Sequence, residues 1–124
     1  MKRVFAIAVV VALLAGCSDN KLTVVNYSDI EVFLNFQAEK HLLYGGDSIV
    51  VNDIPNGTYE YGTIYVVPSG RTITGGDGLD GQMTFERSET NIMMTYGLGA
   101  ETDTTEVLWA VLSTDQPVGA ITSP

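Results

Sequence analysis

Beyond residue 20 the chain alternates apolar and polar residues with a period of two. The clearest stretch sets Ile30, Val32, Leu34 and Phe36 against Glu31, Phe33 and Asn35. Successive side chains of a strand point to opposite faces, so this pattern predicts a strand with one buried face. No window beyond Cys17 keeps an apolar stripe of helical spacing over the roughly 11 residues that would indicate a helix. The pattern therefore predicts an all-β protein.

Turn-forming residues divide the alternating segments. Strands are predicted at 21–27, 30–36, 48–53, 58–67, 82–87, 91–97 and 104–114, with 38–43 as a short continuation of the second. Turns separate them at Tyr44-Gly45-Gly46-Asp47 and Ile54-Pro55-Asn56-Gly57, among others. About seven short strands with a turn signal about every 8 to 12 residues predict one small antiparallel β-sandwich over residues 21–114, with a small barrel as the alternative. Residues 115–124 are predicted to be a loose C-terminal tail.

The first twenty residues follow a different pattern. Lys2 and Arg3 precede an apolar run of 11 residues from Val4 to Leu14. This run is too short to cross a bilayer, which takes about 20 helical residues, and it has the length of the apolar part of a secretory signal. Leu14-Ala15-Gly16-Cys17 follows and resembles the lipobox of bacterial lipoproteins.

The resemblance to the lipobox implies a lipid anchor. The signal peptide, residues 1–16, would be cleaved before Cys17, the Cys17 thiol would carry a diacylglyceryl group, and the freed amine is often acylated in such proteins. Residues 17–20 would form a lipidated tether of at most about 14 Å. Two or more acyl chains anchor a protein stably, so we expect the bacterial cell envelope, with the membrane contacted through the lipid. Ser18 resembles the residue found in lipoproteins that enteric-type bacteria sort to the outer membrane. An ordinary signal peptide with an incidental free Cys is the alternative.

The body of the chain is strongly acidic. The chain has 15 acidic and 6 basic residues and a net charge of −9. Removal of Lys2 and Arg3 with the leader leaves four basic residues and a net charge of −11. Such a body repels phosphate backbones, so no nucleic-acid partner is expected.

Residues 26–65 resemble a known type of module. An Asn-x-Ser start at Asn26, Gly46-x-Ser48 and Pro55-x-Gly57-Thr58-Tyr59 are similar to the hairpins of PEGA-type, carboxypeptidase-regulatory and other prealbumin-like sandwich modules. The resemblance implies a β-sandwich, and such modules are usually accessory domains without chemistry of their own.

Tyr59, Tyr61 and Tyr65 are candidate ligand-binding residues. Side chains two and four positions apart on a strand share one face. An exposed stripe of this kind would stack sugars or dock a peptide or a protein, because each ring has a flat apolar body and a polar tip. A buried stripe would belong to the sandwich interior, since aromatic residues also suit half-buried strands. Gly62, on the opposite face, predicts a bulge or the close approach of another backbone.

The segment Gly75-Gly76-Asp77-Gly78-Leu79-Asp80 is a candidate calcium site. It fits the first six positions of the Gly-Gly-x-Gly-x-Asp calcium repeat, whose carbonyl and carboxylate oxygens are ligands for that ion. Gln82 stands where the repeat has an apolar residue, and there is a single copy. A flexible solvent loop explains the segment equally well. If calcium binds, Asp77 and Asp80 are the expected ligands.

Residues for catalysis are few. The single Cys cannot form an intrachain disulfide, and one His without a Gly-x-Ser-x-Gly segment offers no Ser-His-Asp arrangement. His41 is expected at the surface, and Met83, Met93 and Met94 are expected to fill the core. The main hypothesis is a non-enzymatic, lipid-anchored envelope protein that serves as a binding or structural accessory, with an envelope protein or a glycan as partner. Alternatives are a calcium-stabilised module, a small carbohydrate- or peptide-binding lipoprotein, and a small hydrolase or hydrolase inhibitor.

Overall fold

The domain is built entirely from strands. The computed structural model describes residues 19–86 and 89–114, together with the backbone of 121–122. These residues form ten strands and no helix: β1 (Lys21–Asn26), β2 (Val32–Phe36), β3 (Glu39–Leu43), β4 (Ser48–Val51), β5 (Gly57–Tyr65), β6 (Ile73–Gly75), β7 (Gly81–Phe85), β8 (Asn91–Ala100), β9 (Glu106–Thr114) and β10 (Ile121–Thr122).

The strands form two sheets that enclose one core. The first sheet has the order β4-β1-β8-β9-β6, and the second has the order β10-β7-β5-β2-β3. The predicted all-β sandwich is confirmed. Two of its neighbouring pairs, β1 with β8 and β6 with β9, run parallel, and the other pairs are antiparallel. The alternating pattern fixes which face of a strand is buried, but not the direction of its neighbour.

The core consists of the inward faces of both sheets. Its largest fully buried side chains come from both, among them Phe36, Phe85, Leu34 and Met83 of the second sheet and Tyr96, Leu22 and Met94 of the first. The rings of Phe36, Phe85 and Tyr59 form a cluster with centroids 5.5 to 6.4 Å apart. Buried apolar area is the main favourable term in folding, so this shared interior holds the two sheets together.

Three short elements differ from the sequence prediction. Gln37 and Ala38 form the tight turn of the β2–β3 hairpin, both with positive φ (55° and 59°), so the strand predicted at 38–43 begins at Glu39. The Gly-rich segment contains strand β6. Residues 121–122 of the predicted loose tail pair with β7, opposite Met83 and Gln82, and the other residues of the tail lie outside the described part.

The folded domain begins at Asn20, not at Lys21. Asn20 is fully buried, and its side-chain amide donates to the carbonyl of Ile54 and to Oδ1 of Asn56, both at 2.8 Å. Its Oδ1 accepts a hydrogen bond from the backbone N–H of Thr90 at 2.8 Å. The predicted tether of residues 17–20 is therefore wrong at Asn20, because a buried polar side chain is held by its hydrogen bonds.

A second buried asparagine organises the turn after β1. The side-chain amide of Asn26 donates to the carbonyls of Ile30 at 2.9 Å and Leu43 at 3.1 Å. Its Oδ1 accepts hydrogen bonds from the Ser28 backbone N–H at 3.0 Å and from the Ser28 hydroxyl at 2.6 Å. Asn26 thereby joins the end of β1 in the first sheet to β3 in the second.

Replacing Asn26 with Asp should test this connection. A carboxylate cannot donate to the Ile30 and Leu43 carbonyls, so we expect Asn26→Asp to lower the free energy of unfolding by about 3 kcal/mol at neutral pH. Urea denaturation measures the change. Asn35→Asp, at a half-buried position on the outer face of β2, is the control and should change stability by less than about 0.5 kcal/mol. Equal effects of the two changes would contradict the role of Asn26.

Candidate functional site

The tyrosine stripe faces the interior of the sandwich. Tyr61 is buried with 4% of its surface exposed, and its hydroxyl donates to the carbonyl of Gly78 at 2.9 Å. Tyr59 and Tyr65 are half-buried and pack against the core. The hydroxyl of Tyr59 donates to the carbonyl of Pro55 at 2.6 Å. The structure thus supports the interior interpretation of the stripe at Tyr61, whereas Tyr59 and Tyr65 lie at the rim of the core.

The Gly-rich segment 75–80 is packed against β9 and β5. The backbone N–H of Gly76 donates to the carbonyl of Leu108 at 2.7 Å, and that of Ala110 donates to the carbonyl of Asp77 at 2.9 Å. On the other side, the Thr63 hydroxyl donates to the carbonyl of Leu79 at 2.6 Å. These bonds extend the parallel pairing of β6 with β9, so the prediction of a flexible solvent loop is wrong.

Close backbone contact explains two of the glycines. At Gly78, which has a φ of +82°, a Cβ would meet the carbonyl oxygen of Ala110 and lie 2.9 Å from its carbon. At Gly76 a Cβ would lie 2.7 Å from a methyl group of Val107 and 3.0 Å from the carbonyl oxygen of Leu108. Real Cβ atoms do not come so close, so the glycines serve packing as well as conformational freedom.

The two candidate calcium ligands are placed differently. Asp80 Oδ1 accepts a hydrogen bond from the backbone N–H of Thr63 at 3.1 Å, and it is also the atom that closely approaches Gly62. Asp77 is exposed, and its backbone carbonyl is used by β9. Within the described ranges, no group of three or more His, Cys, Asp or Glu side chains is arranged to hold a metal ion. The Gly-rich sequence is accounted for by its packing.

A matched pair of glycine substitutions should show this packing. Gly78 and Gly70 have nearly the same φ, +82° and +83°, but a Cβ on Gly70 would have nothing within 4 Å. We expect Gly70→Ala to cost about 1 kcal/mol for the left-handed backbone alone. Gly78→Ala should cost at least about 3 kcal/mol, because it also pushes the segment away from β9. Urea denaturation compares the two, and equal losses would contradict the packing of the segment against β9.

Other residues singled out in the sequence have varied positions. Cys17 lies outside the described residues. His41 is half-buried in the edge strand β3. Met83 and Met94 are fully buried as expected, but Met93 is 46% exposed on the outer face of β8, because it alternates with the buried Met94. The expectation of core filling is therefore corrected for Met93.

On the outer face of β1, β4, β8 and β9, as the structure describes them, Lys21 at the start of β1 is the only charged side chain. We call the part of this face beyond Lys21, which carries no charge, the uncharged face. The uncharged face consists of four sets of residues, one for each strand. They are Thr23 and Val25 of β1 with Tyr27 just after it; Ser48 and Val50 of β4; Met93, Thr95, Gly97 and Gly99 of β8; and Val107, Trp109, Val111 and Ser113 of β9. Tyr27, Val50, Met93 and Val111 are 46% to 74% exposed. In a chain with 15 acidic residues, a face of this extent without charge differs from an ordinary solvated surface.

Trp109 lies flat on this face. It pairs with Gly97 across the sheet, and a Cβ on Gly97 would collide with the six-membered ring of its indole. A Cβ on Gly99 would lie 3.7 Å from the indole Nε1. The ring therefore covers the two glycines of β8. Any residue with a Cβ at position 97 would collide with the ring and displace it. Within the part of the chain that the structure describes, neither the indole N–H nor the Tyr27 hydroxyl has a hydrogen-bond partner.

The two ends of the uncharged face have different shapes. Tyr27 follows the end of β1, next to Gly97 and Trp109, and its backbone N–H donates to the carbonyl of Tyr96 at 2.9 Å. At the opposite end is a shallow, open depression of about 420 Å³, lined by Thr23, Asn91, Ile92, Met93, Ser113 and Thr114. The face thus offers an aromatic end and a shallow hydroxyl-bearing end, four residue pairs apart along β8 and β9.

An exposed ion-pair cluster connects the turn that follows Tyr27 with the first sheet. Arg71 donates to Asp29 Oδ2 at 3.0 Å and to Glu106 Oε1 at 2.9 Å. The hydrogen bond from Arg71 lowers the pKa of the Asp29 carboxyl below its usual value. Asp29 is well exposed, so the pair orients the turn but adds little stability.

The outer face of the second sheet is a useful comparison. It also has exposed apolar residues, with Leu42, Ile64 and Val66 between 37% and 50% exposed. Charged residues lie among them: Lys40 stands 5.6 Å from the ring centre of Phe33, and Glu31, the residue before β2, accepts a hydrogen bond at its backbone carbonyl from the N–H of Val66. Scattered apolar residues with charges between them are typical of an ordinary surface.

Comparisons with known proteins do not assign the site. No protein-family model, curated protein or solved structure matches the chain. Among the described residues, no helix is long and apolar enough to cross a membrane. The site is therefore interpreted from its own geometry.

Sequence reasoning missed the uncharged face. It pointed to the tyrosines of β5, whereas the outward aromatic residues are Tyr27 and Trp109. A signal for Trp109 was present: the pair Gly97-Leu98-Gly99 in a strand indicates that another group approaches closely. The alternation along 107–112 was obscured because apolar residues occupy both sides of β9.

Proposed function

We propose that this chain is a lipid-anchored protein of the bacterial cell envelope that acts without catalysis, as a binding accessory whose contact surface is the uncharged face. The observation that carries the proposal is the face itself: a flat, charge-free surface with exposed Tyr27, Val50, Met93 and Val111 on a strongly acidic body. A contiguous exposed apolar surface of this kind marks an interaction site in a monomeric protein.

The lipid anchor is supported by the leader and by the start of the domain. The lipobox-like Leu14-Ala15-Gly16-Cys17 stands three residues before Asn20, which is held inside the fold. Three residue steps span at most about 11 Å, so a lipidated Cys17 would keep the domain next to its membrane. In a bacterium with two membranes, Ser18 directly after the lipidated Cys17 favours sorting to the outer membrane.

A non-enzymatic role is supported by how the candidate chemical groups are used. Tyr61 and Asp80, which the sequence offered for binding or for metal, hold the Gly-rich segment and β5 together. Burial raises the pKa of the Tyr96 hydroxyl above its usual range, and this neutral hydroxyl shares a hydrogen bond with Thr63 at 2.7 Å. The resemblance of residues 26–65 to prealbumin-like modules, which are usually accessory, favours the same proposal.

Replacement of Cys17 tests the anchor. In cells that process lipoproteins, we expect Cys17→Ala to abolish lipidation, so that the protein leaves the membrane fraction or keeps its leader uncleaved. Ser18→Ala is the control and should still be lipidated. Fractionation and mass spectrometry of the N-terminus measure both. Unchanged membrane partition and cleavage in Cys17→Ala would contradict the anchor.

Site-specific cross-linking tests the contact surface. Val111, on the uncharged face, and Ile64, on the outer face of the second sheet, are 55% and 50% exposed and both lie on long strands. A photoreactive amino acid placed at position 111 of the full-length protein should yield an envelope adduct in intact cells, and the same amino acid at position 64 should not. Adducts of equal yield from both positions, or from position 64 alone, would exclude the uncharged face as the contact surface.

A further inference from the structure

We infer that the uncharged face binds a neutral oligosaccharide, with Trp109 as the ring on which a sugar stacks and Tyr27 as the second aromatic contact. The inference rests on the proposed function, because it names the class of ligand for the same surface.

The first argument is the geometry of Trp109. Its indole is half-buried and covers Gly97 and Gly99 with one ring face. Because that face rests on the sheet, the other is directed away from the sheet. A pyranose ring has an apolar face made of C–H groups, which packs against such a flat aromatic surface while its hydroxyls remain at the edge. The sheet fixes the ring in advance, so little conformational freedom is lost on binding.

The second argument is the set of polar groups around the ring. The indole N–H and the Tyr27 hydroxyl have no hydrogen-bond partner among the described residues. Thr95 lies diagonally next to Trp109 on the same face, and the hydroxyls of Thr23 and Ser113 line the depression at the far end. Binding sites for small polar molecules combine apolar surface with a few placed donors and acceptors, and hydroxyl and indole groups suit sugar hydroxyls.

The third argument is charge. An acidic glycan would approach a body with a net charge of −11 once the leader is removed. On the outer side of β1 the only cation is Lys21, at the opposite end of the strand from Tyr27, while Lys40 lies on the second sheet and Arg71 is paired with Asp29 and Glu106. A neutral glycan neither is repelled nor requires a counter-charge, so the lack of a free cation beside Tyr27 and Trp109 favours it.

The size of the face disfavours a second copy of the chain. Four strands about 4.8 Å apart and about 20 Å of strand length give a flat area of roughly 400 Å². Each partner of a standard protein interface buries about 800 Å² of accessible surface, so this face alone would supply only part of such an interface. Two bodies of the same strong negative charge would in addition repel each other.

Position disfavours the lipid bilayer as the ligand. Tyr27 and Trp109 lie at the end of β1 opposite to Asn20, about 20 Å along the strand from the start of the domain. The lipid would be attached on the Asn20 side. A ligand in the space beyond the membrane surface can reach the aromatic end of the face.

The sole tryptophan makes the test direct, because Trp109 is the only Trp in the chain and its fluorescence reports on this site alone. Full-length lipidated protein, in a detergent without a sugar headgroup, is titrated with four hexasaccharides. Three are neutral: β-1,4-linked N-acetylglucosamine, β-1,4-linked glucose and α-1,4-linked glucose. The fourth, α-1,4-linked galacturonic acid, is acidic. We expect a saturable change of emission with at least one neutral hexasaccharide and none with the acidic one.

Variants locate the binding surface. Trp109→Ala would uncover Gly97 and Gly99 and so affect folding, so Tyr27→Ala is the informative change, at a side chain that is 74% exposed. It should weaken the binding of the neutral sugar about tenfold. Tyr44→Ala, 54% exposed on the second sheet, is the matched control and should bind like the unchanged protein.

Three results would overturn the inference. The first is no saturable change with any neutral hexasaccharide up to about 10 mM, well above the dissociation constant of about 1 mM that marks a weak site. The second is an equal loss in Tyr27→Ala and Tyr44→Ala. The third is a change of emission that follows protein concentration and a doubled mass in sedimentation, which would assign the face to a second copy. Cross-linking at position 111 together with no sugar binding would leave the proposed contact surface intact and reject the glycan alone.

Discussion

The two sheets are joined by their shared apolar core and, at its rim, by the Gly-rich segment 75–80, which docks between β9 and β5. The segment continues β6 alongside β9 through the bonds of Gly76 and Asp77, while Tyr61 and Thr63 of the second sheet hold its carbonyls. One stretch of backbone therefore satisfies polar groups from both sheets at the rim of an apolar core. Buried backbone groups without partners are costly, so this arrangement requires residues small enough to fit, and glycine alone meets the requirement at Gly78.

The docked segment also influences where the aromatic side chains lie. Tyr61 points inward because its hydroxyl finds the Gly78 carbonyl, and Tyr59 packs with Phe36 and Phe85. On the other side of β9, Trp109 alternates with the buried Leu108 and Ala110 and lies over Gly97. Glycine thus has two distinct roles in one sheet: at Gly78 it lets backbone approach backbone, and at Gly97 it lets an indole lie flat on the surface. The uncharged face is formed by the side chains that alternate with those of the core and therefore point outward.

The sequence predicted the class of fold because strand periodicity is a local property. The alternation from Val32 to Phe36 is visible without any knowledge of neighbouring strands. The pairing of β1 with β8 is not visible, since those strands are separated by about half of the chain and run parallel. For the site, periodicity showed that the tyrosines of β5 share one side but not which side is buried. The β2–β3 turn was missed because Gln37 and Ala38 adopt positive φ without glycine or asparagine.

In the proposed arrangement, the lipid anchor compensates for the weak binding expected of each single face. An open surface with one flat indole leaves much of a bound sugar in solvent, so a single domain is expected to bind it weakly. In the proposed arrangement, many copies are held at one membrane by a tether of only about 11 Å, and a glycan chain that offers the same unit repeatedly meets several of them. Linked binding events raise the overall affinity without new contacts. The acidic remainder of the body keeps the anchored copies apart, so that each face stays open to the chain that bridges them.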